Sequence, residues 1–167
     1  AKTDHYEDII GSYLVKLSAR KIGESDSALA AEYLRIIGDF ERIADHSVNI
    51  LESAEEMQQK GIAFSAAALQ EYATMAGAVR EVTALAYDSF VSGDVQAARQ
   101  VEPLEQVIDD LKEEMRTRHI RRMQQGSCGI EAGFIWSDLL TNLERVSDHC
   151  SNIACCMICL LYTSPSP

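Results

Sequence analysis

The sequence predicts an all-α fold, an antiparallel helical bundle. Its 167 residues include 9 glycines and 3 prolines, and the long stretches between them repeat apolar residues at the three- and four-residue spacing of helices. A ten-residue pattern containing Glu, Arg, Asp, His, Asn and Ile occurs at residues 41–50 and again at residues 144–153. A repeat with this shift of 103 residues indicates duplicated helical units.

The first two predicted helices are separated by a polar break at residues 23–27. The first helix runs roughly from Asp4 to Ile22. Ser25 or Ser27 is expected to cap the second helix, because serine oxygens accept hydrogen bonds from the free amides of a first turn. This helix carries the first copy of the motif and ends near Gly61, since glycine commonly follows a helix.

Three further helices follow. Ser65 caps the third helix, which stops at Gly93, and Asp94 caps the fourth. A Gly-Ser-Cys-Gly break at residues 126–129 separates the fourth helix from the fifth, which carries the second copy of the motif. Connections this short make neighbouring helices antiparallel.

The first helix corresponds to the fourth, because Asp4 lines up with Asp109 at a shift of 105 residues. We therefore expect the chain to begin inside a domain, with no equivalent of the third helix in its first unit. This helical domain spans residues 1–158, with a first repeat at about 1–61 and a second at about 62–158. Residues 159–167 leave the helical pattern and are expected to be an extraneous or disordered tail.

The composition restricts the classes of function that the chain can have. The net charge of −11 argues against nucleic-acid binding, which needs clustered Lys and Arg, and suits cations. A basic cluster at residues 116–122 has two interpretations, a contact with an anionic surface and the cationic last turn of a helix; the second is favoured. Four of the five cysteines crowd into residues 150–159 and are interpreted as small apolar fillers. The longest apolar run is too short to span a bilayer, which predicts a soluble chain.

Each motif copy places carboxylates away from the apolar face of its helix. On a helical wheel, Glu41, Asp45 and Asn49 form one row, and Glu144, Asp148 and Asn152 form the equivalent row. The apolar faces opposite are formed by Phe40, Ile43, Ser47, Ile50 and Leu51 in the second helix, and by Leu139, Leu143, Val146, Cys150, Ile153 and Ala154 in the fifth. Glu105 and Asp109 flank the apolar stripe of the fourth helix similarly, and their counterparts in the first helix are Asp4 and a position just before Ala1.

Two explanations of these rows remain open. Like charges four residues apart repel, so repeated pairs need a compensating cation, and hard oxygen ligands suit Mg, Ca, Mn or Fe. Alternatively, the rows are solvated acidic faces with Arg42 and Arg145 as local counter-ions. Glu52 and Glu56 share the spacing without belonging to any repeat.

The other polar motif residues have different predicted roles. His46 and His149 are rotated by about 100° from the carboxylates, so we expect them to pack between helices or to hydrogen-bond a neighbouring carboxylate. Arg42 and Arg145, with Asn49 and Asn152, are expected to orient the carboxylates. A ferritin-like di-iron enzyme is disfavoured because the sequence has no Glu-x-x-His.

The motif at residues 39–50, its copy at 143–153 and the pair Glu105-x-x-x-Asp109 together resemble the PhoU family. The resemblance implies an antiparallel bundle of two three-helix repeats, with five of the six helices in this chain. Residues 12–18 look more like the PhoU-type domain at the C-terminus of sodium/phosphate cotransporter family proteins.

The resemblance also implies metal ligands and a role. Asp4, Glu41 and Asp45 would serve one metal cluster, and Glu105, Asp109, Glu144 and Asp148 the other, with Fe, Mn or Mg as the metal. The implied function is a non-catalytic regulatory domain for phosphate uptake, at the cytoplasmic face of the cell membrane. Its implied partners are the membrane domain of a sodium-dependent phosphate transporter and a second copy of the chain. The alternatives are a carboxylate-bridged metalloenzyme and a metal-free helical adaptor.

Overall fold

A computed structural model describes residues 2–20 and 22–163, with backbone alone at 161–163. It consists of five α-helices and, in the part described, no strand. The helices are α1 Lys2–Ser18, α2 Glu24–Lys60, α3 Ala66–Ser92, α4 Val95–Gln124 and α5 Ile130–Thr163. The predicted number and order of helices are therefore confirmed.

Most helix ends follow the predicted signals. The Ser65 side chain accepts a hydrogen bond from the amide of Ala68 at 3.2 Å, and Asp94 Oδ1 accepts from the amides of Gln96 and Ala97. Gly61 and Gly93 have positive φ values of 63° and 65°, a conformation that glycine adopts without steric cost.

Three predicted helix boundaries are wrong. The first helix stops at Ser18, before the expected Ile22, and α2 is capped by the backbone of Gly23, so Ser25 and Ser27 already lie inside it. The earlier start of α2 fits the acidic Glu24 and Asp26 in its first turn, which the helix dipole favours.

The third boundary that was predicted wrongly is the C-terminal end of α5. This helix continues through residues 159–163 instead of stopping at 158, because Ile158 and Leu160 still pack against the core. Residues 164–167 of the expected tail lie outside the described part of the chain.

The core is built around α5, which packs against α2, α3 and α4. One cluster joins α3, α4 and α5, and its fully buried members include Met75, Val82, Ile108 and Trp136. A smaller cluster joins α2 to α5. In contrast, α1 packs against α2 alone, and Leu14 is its one buried residue among those described.

Parts of the predicted apolar faces need correction. Ser47 and Leu51 of α2 are exposed, because the face of α2 that meets the core is centred on Ile43, His46 and Ile50 and leaves Ser47 and Leu51 to one side. Among the cysteines, Cys150 and Cys156 are buried fillers as predicted, and burial raises their pKa values to about 11 and about 12. Cys155 and Cys159 are exposed, so that interpretation is wrong for them.

Part of the basic cluster at the end of α4 forms ion pairs within the chain. Both guanidinium nitrogens of Arg122 donate to the carboxylate of Glu71 on α3, each at 2.9 Å. Arg118 pairs with Glu71 and with Glu114 on its own helix. These contacts join α4 to α3 and support the interpretation of the cluster as part of the helix end.

Candidate carboxylate sites and the seam between the motif helices

The two copies of the motif meet where α2 and α5 cross. His46 Nδ1 donates to Asn142 Oδ1 at 2.8 Å, and Asn49 Nδ2 donates to the same oxygen at 3.0 Å. Two side chains of α5 make the equivalent hydrogen bonds to α2. His149 Nδ1 donates to Asp39 Oδ1 at 2.8 Å, and Asn152 Nδ2 donates to that oxygen at 3.3 Å.

This seam, formed by residues 39, 46, 49, 142, 149 and 152, is reciprocal. Asp39 and Asn142 occupy the same place in their helices, 103 residues apart, and each accepts from the His and Asn of the other helix. Between the two sets of bonds, the rings of His46 and His149 stack with centroids 5.6 Å apart and planes inclined by 21°.

The seam explains part of the repeated motif. The expectation that His46 and His149 lie between helices, or bond a carboxylate, is confirmed. Asn49 and Asn152 were assigned to the carboxylate rows, but the structure places them at the seam. Sequence reasoning missed the two acceptors Asp39 and Asn142, although the same 103-residue shift relates them.

The first carboxylate cluster consists of Asp4 on α1 with Glu41 and Asp45 on α2. One oxygen from each lies within 4.8 Å of the others. The pKa of Glu41 is raised, chiefly by burial and further by Asp45. The structure thus brings together all three side chains predicted for the first metal site.

The second carboxylate cluster consists of Glu105 and Asp109 on α4 with Asp148 on α5, again with oxygens within 4.8 Å of one another. Burial, followed by the charges of Asp109 and Glu102, raises the pKa of Glu105 to about 7. Burial and Glu144 raise the pKa of Asp148, whereas Arg145 lowers it. Arg145 Nη1 lies 3.1 Å from Asp148 Oδ2, as expected for an orienting residue.

Glu144, also predicted for the second metal site, is not among the three carboxylates that meet within 4.8 Å, although its charge helps raise the pKa of Asp148. It is buried, and its Oε2 lies 3.0 Å from Lys112 Nζ in an ion pair that lacks hydrogen-bond geometry. The position equivalent to Lys112 in α1 is Glu7, at the 105-residue shift. Glu41 lies with Asp4 and Asp45. The fourth predicted orienting residue, Arg42, is exposed on α2.

Both clusters suit a hard cation. Each gathers three carboxylates from two helices, and after burial the like charges of neighbouring carboxylates help raise the pKa values of Glu41, Glu105 and Asp148. A divalent or trivalent cation with oxygen preference would remove that repulsion and join the two helices. The residues present therefore fit a metal of this class.

The fold and these sites can now be compared with known proteins. The family model for the PhoU domain matches residues 1–54 and 72–157, and each matched stretch holds one copy of the motif. The chain belongs to the PhoU family. Members of this family are accessory proteins, not enzymes, which confirms the prediction of a non-catalytic domain.

Two curated relatives carry the same family name. The chain is 31% identical over 120 residues to "Phosphate-specific transport system accessory protein PhoU homolog 1" of Thermotoga maritima, covering 72% of this chain and 51% of that protein. It is 26% identical over 132 residues to the PhoU homolog of Deinococcus radiodurans, covering 77% and 59%. The chain thus spans between half and three-fifths of the length of these relatives.

A solved structure supports the fold. The crystal structure of PhoU from Pseudomonas aeruginosa superposes with a TM-score of 0.89 at 23% sequence identity, covering 98% of this chain and 78% of that one. This confirms the all-α bundle predicted from the sequence. The relatives are PhoU accessory proteins, so the finer likeness to a cotransporter domain is not shown by them.

The seam predicts a difference between two substitutions at one position. Asp39→Ala removes the acceptor used by His149 and Asn152 and should lower the free energy of unfolding by about 1–3 kcal/mol. Asp39→Asn keeps an acceptor oxygen, as Asn142 does in the other helix, and should cost less than half as much. Urea denaturation followed by circular dichroism measures both, and equal stability of all three proteins would contradict a stabilising role for the seam.

The second cluster predicts a pH dependence for the metal-free protein. Because the pKa of Glu105 is higher in the folded chain (about 7) than its ordinary value of 4.5, folding favours the protonated carboxyl. Stability should therefore fall as the pH rises from about 4.5 through about 7. Glu105→Gln should flatten this decline and raise the thermal midpoint at pH 8, measured in EDTA. A steeper decline in the variant would refute the assignment.

Proposed function

We propose that this chain is a regulatory PhoU domain that controls phosphate transport and that holds metal ions on its two carboxylate clusters. The observation that carries the proposal is the pair of clusters, each formed by carboxylates of two adjacent helices, with Asp4 and Asp45 of the first at positions equivalent to Asp109 and Asp148 of the second. The family membership supports the regulatory part, because the curated relatives are named as accessory proteins of phosphate-specific transport.

Metal at the first cluster would have a structural effect on α1. Among the described residues of this chain, α1 packs against α2 alone and buries one residue, Leu14, so its docking here depends on few buried contacts. A cation held by Asp4, Glu41 and Asp45 would replace carboxylate repulsion with attraction between the two helices. Fe, Mn and Mg all accept oxygen ligands of this kind.

The proposed partner is the membrane part of a phosphate transporter, met at the cytoplasmic face of the membrane. Among the residues that the structure describes, no helix is long and apolar enough to cross a bilayer. Attachment to a sodium-dependent transporter rests on the resemblance of residues 12–18 alone. Self-association into a homodimer stays a prediction, and the net charge of −11 disfavours nucleic acid.

A metal-free adaptor is the second candidate, and one observation favours it. In the second repeat, Lys112 and Arg145 lie against Glu144 and Asp148, so part of the acidic charge is already balanced by basic side chains. No comparable observation favours a carboxylate-bridged metalloenzyme.

Metal binding is tested by elemental analysis of protein exposed to Mn²⁺, Fe²⁺ or Mg²⁺ and then desalted. Wild type should retain metal near stoichiometric amounts and gain thermal stability. Asp4→Asn/Asp45→Asn and Asp109→Asn/Asp148→Asn should each lose the metal of one cluster. Glu52→Gln/Glu56→Gln is the matched control, because it removes two carboxylates of the same spacing on α2 outside both clusters. Wild type without metal, and with unchanged stability, would leave the adaptor as the better account.

The regulatory role is tested separately by phosphate uptake. Cells of the source organism lacking this protein should take up radiolabelled phosphate abnormally, and the full-length gene should restore control. The Asp4→Asn/Asp45→Asn gene should restore it poorly, whereas the Glu52→Gln/Glu56→Gln gene should restore it fully. Uptake that is identical with and without the protein would contradict a role in phosphate transport, whatever metal the protein binds.

A further inference from the structure

A cavity of about 480 Å³ opens between the C-terminal half of α4 and the N-terminal half of α5. It lies in the same groove as the second carboxylate cluster, beyond the Lys112–Glu144 pair. Its volume falls in the range of small-molecule sites. The lining combines cationic, aromatic and aliphatic side chains, among them Lys112, Arg116, His119, Ile130, Phe134 and Trp136.

Two buried polar groups at this cavity lack partners. His119 is 7% exposed and Trp136 is 1% exposed, and neither His119 Nε2 nor Trp136 Nε1 has a hydrogen-bond partner among the described residues. Buried unpaired polar atoms are costly and uncommon, so they call for an explanation. A ligand that accepts hydrogen bonds would supply one.

His119 Nε2 faces the cavity because Gly133 has no side chain. A Cβ atom at Gly133, which lines the cavity, would lie only 3.0 Å from Nε2. The other ring nitrogen, Nδ1, lies 4.0 Å from Cys128 Sγ. The Cys128 thiol donates to Gly129 O at 3.6 Å and so does not fix the tautomer of the ring; in the tautomer with its proton on Nε2, His119 donates toward the cavity.

The charge of the lining favours an anion. Arg116 and Lys112 line the cavity, and Lys112 is paired with Glu144 at 3.0 Å, so Arg116 is the cation that remains for a ligand. No Asp or Glu lines the cavity among the described residues, although the whole chain carries a net charge of −11. The nearest acid to Arg116 is Glu113, at 3.8 Å in an exposed pair, which contributes little and leaves the guanidinium able to bind elsewhere. Ile130 and Phe134 are 68% and 69% exposed and offer apolar surface beside these cations.

Packing of the helices does not require basic or polar side chains at these positions. At the 105-residue shift, Glu7, Gly11 and Leu14 occupy the positions of Lys112, Arg116 and His119. Leu14 is buried, so an apolar residue suffices for packing at the position that His119 fills. The basic and polar lining therefore distinguishes the second repeat from the first.

We propose that this cavity binds a small organic anion with an aromatic or aliphatic body. The anionic group lies against Arg116 and accepts from His119 Nε2, while the body packs against Phe134 and Ile130. This site is separate from the metal clusters, and its occupancy does not depend on the proposed regulatory function.

Trp136 is the one tryptophan of the chain, so its fluorescence reports on the cavity directly. The 167-residue protein in EDTA, which keeps metal away from the carboxylates, is titrated with phenylbutyrate, with its uncharged analogue phenylbutanol, and with inorganic phosphate. Phenylbutyrate should change the emission with saturation and bind at least tenfold more tightly than either of the others. No saturable change with phenylbutyrate, or equal binding of phenylbutanol or phosphate, would overturn the proposal.

Substitutions locate the site. Arg116→Gln should weaken phenylbutyrate binding about tenfold, as expected for the loss of a charge-assisted contact. Arg121→Gln is the matched control, because it makes the same change of charge on α4 at a residue that does not line the cavity. His119→Leu copies the Leu14 of the first repeat, so it should fold and should also weaken binding. Equal effects of Arg116→Gln and Arg121→Gln would refute the site, as would full binding by His119→Leu.

Discussion

The reciprocal hydrogen bonds between α2 and α5 hold the two repeats in register. The other helices depend on this pair, because α1 attaches to α2, whereas α3 and α4 attach to α5. A displacement of α2 along α5 by one helical turn would separate His46 from Asn142 and His149 from Asp39 at the same time. Apolar side chains tolerate sliding better than directional bonds do, so polar contacts at this seam specify one arrangement.

The repeats share this seam but differ in their electrostatics. In the first repeat, Glu41 joins Asp4 and Asp45, whereas in the second Lys112 holds Glu144 apart and Glu105 joins Asp109 and Asp148. Lys112 thus gives Glu144 an ion-pair partner on α4, whereas Glu7 stands at the equivalent position of α1. Lys112 also begins the basic stretch of the α4–α5 groove, so a single groove has an acidic end and a basic end.

Much of this arrangement follows from the sequence, for identifiable reasons. The five helices, the caps Ser65 and Asp94 and the αL glycines depend on local signals that the structure obeys. The first cluster was predictable because a repeat implies equivalent geometry. The ion pair of Glu144 with Lys112 was not predicted, because Lys112 lies on another helix and the period of a single helix says nothing about its neighbour. Asp39 was missed for the same reason, since its bonds cross from α2 to α5.

The attachment of α1 to α2 alone has a consequence for how the molecule fluctuates. In this 167-residue chain, α1 has one buried residue among those described, so it opens at a lower free-energy cost than the core helices and behaves as a separate cooperative unit of local unfolding. Any species that binds the docked helix but not the open one shifts that equilibrium by mass action. The fraction of molecules with α1 docked would then rise with the free concentration of that species. If the species is a metal ion, the concentration of the ion sets the fraction of molecules in the docked conformation.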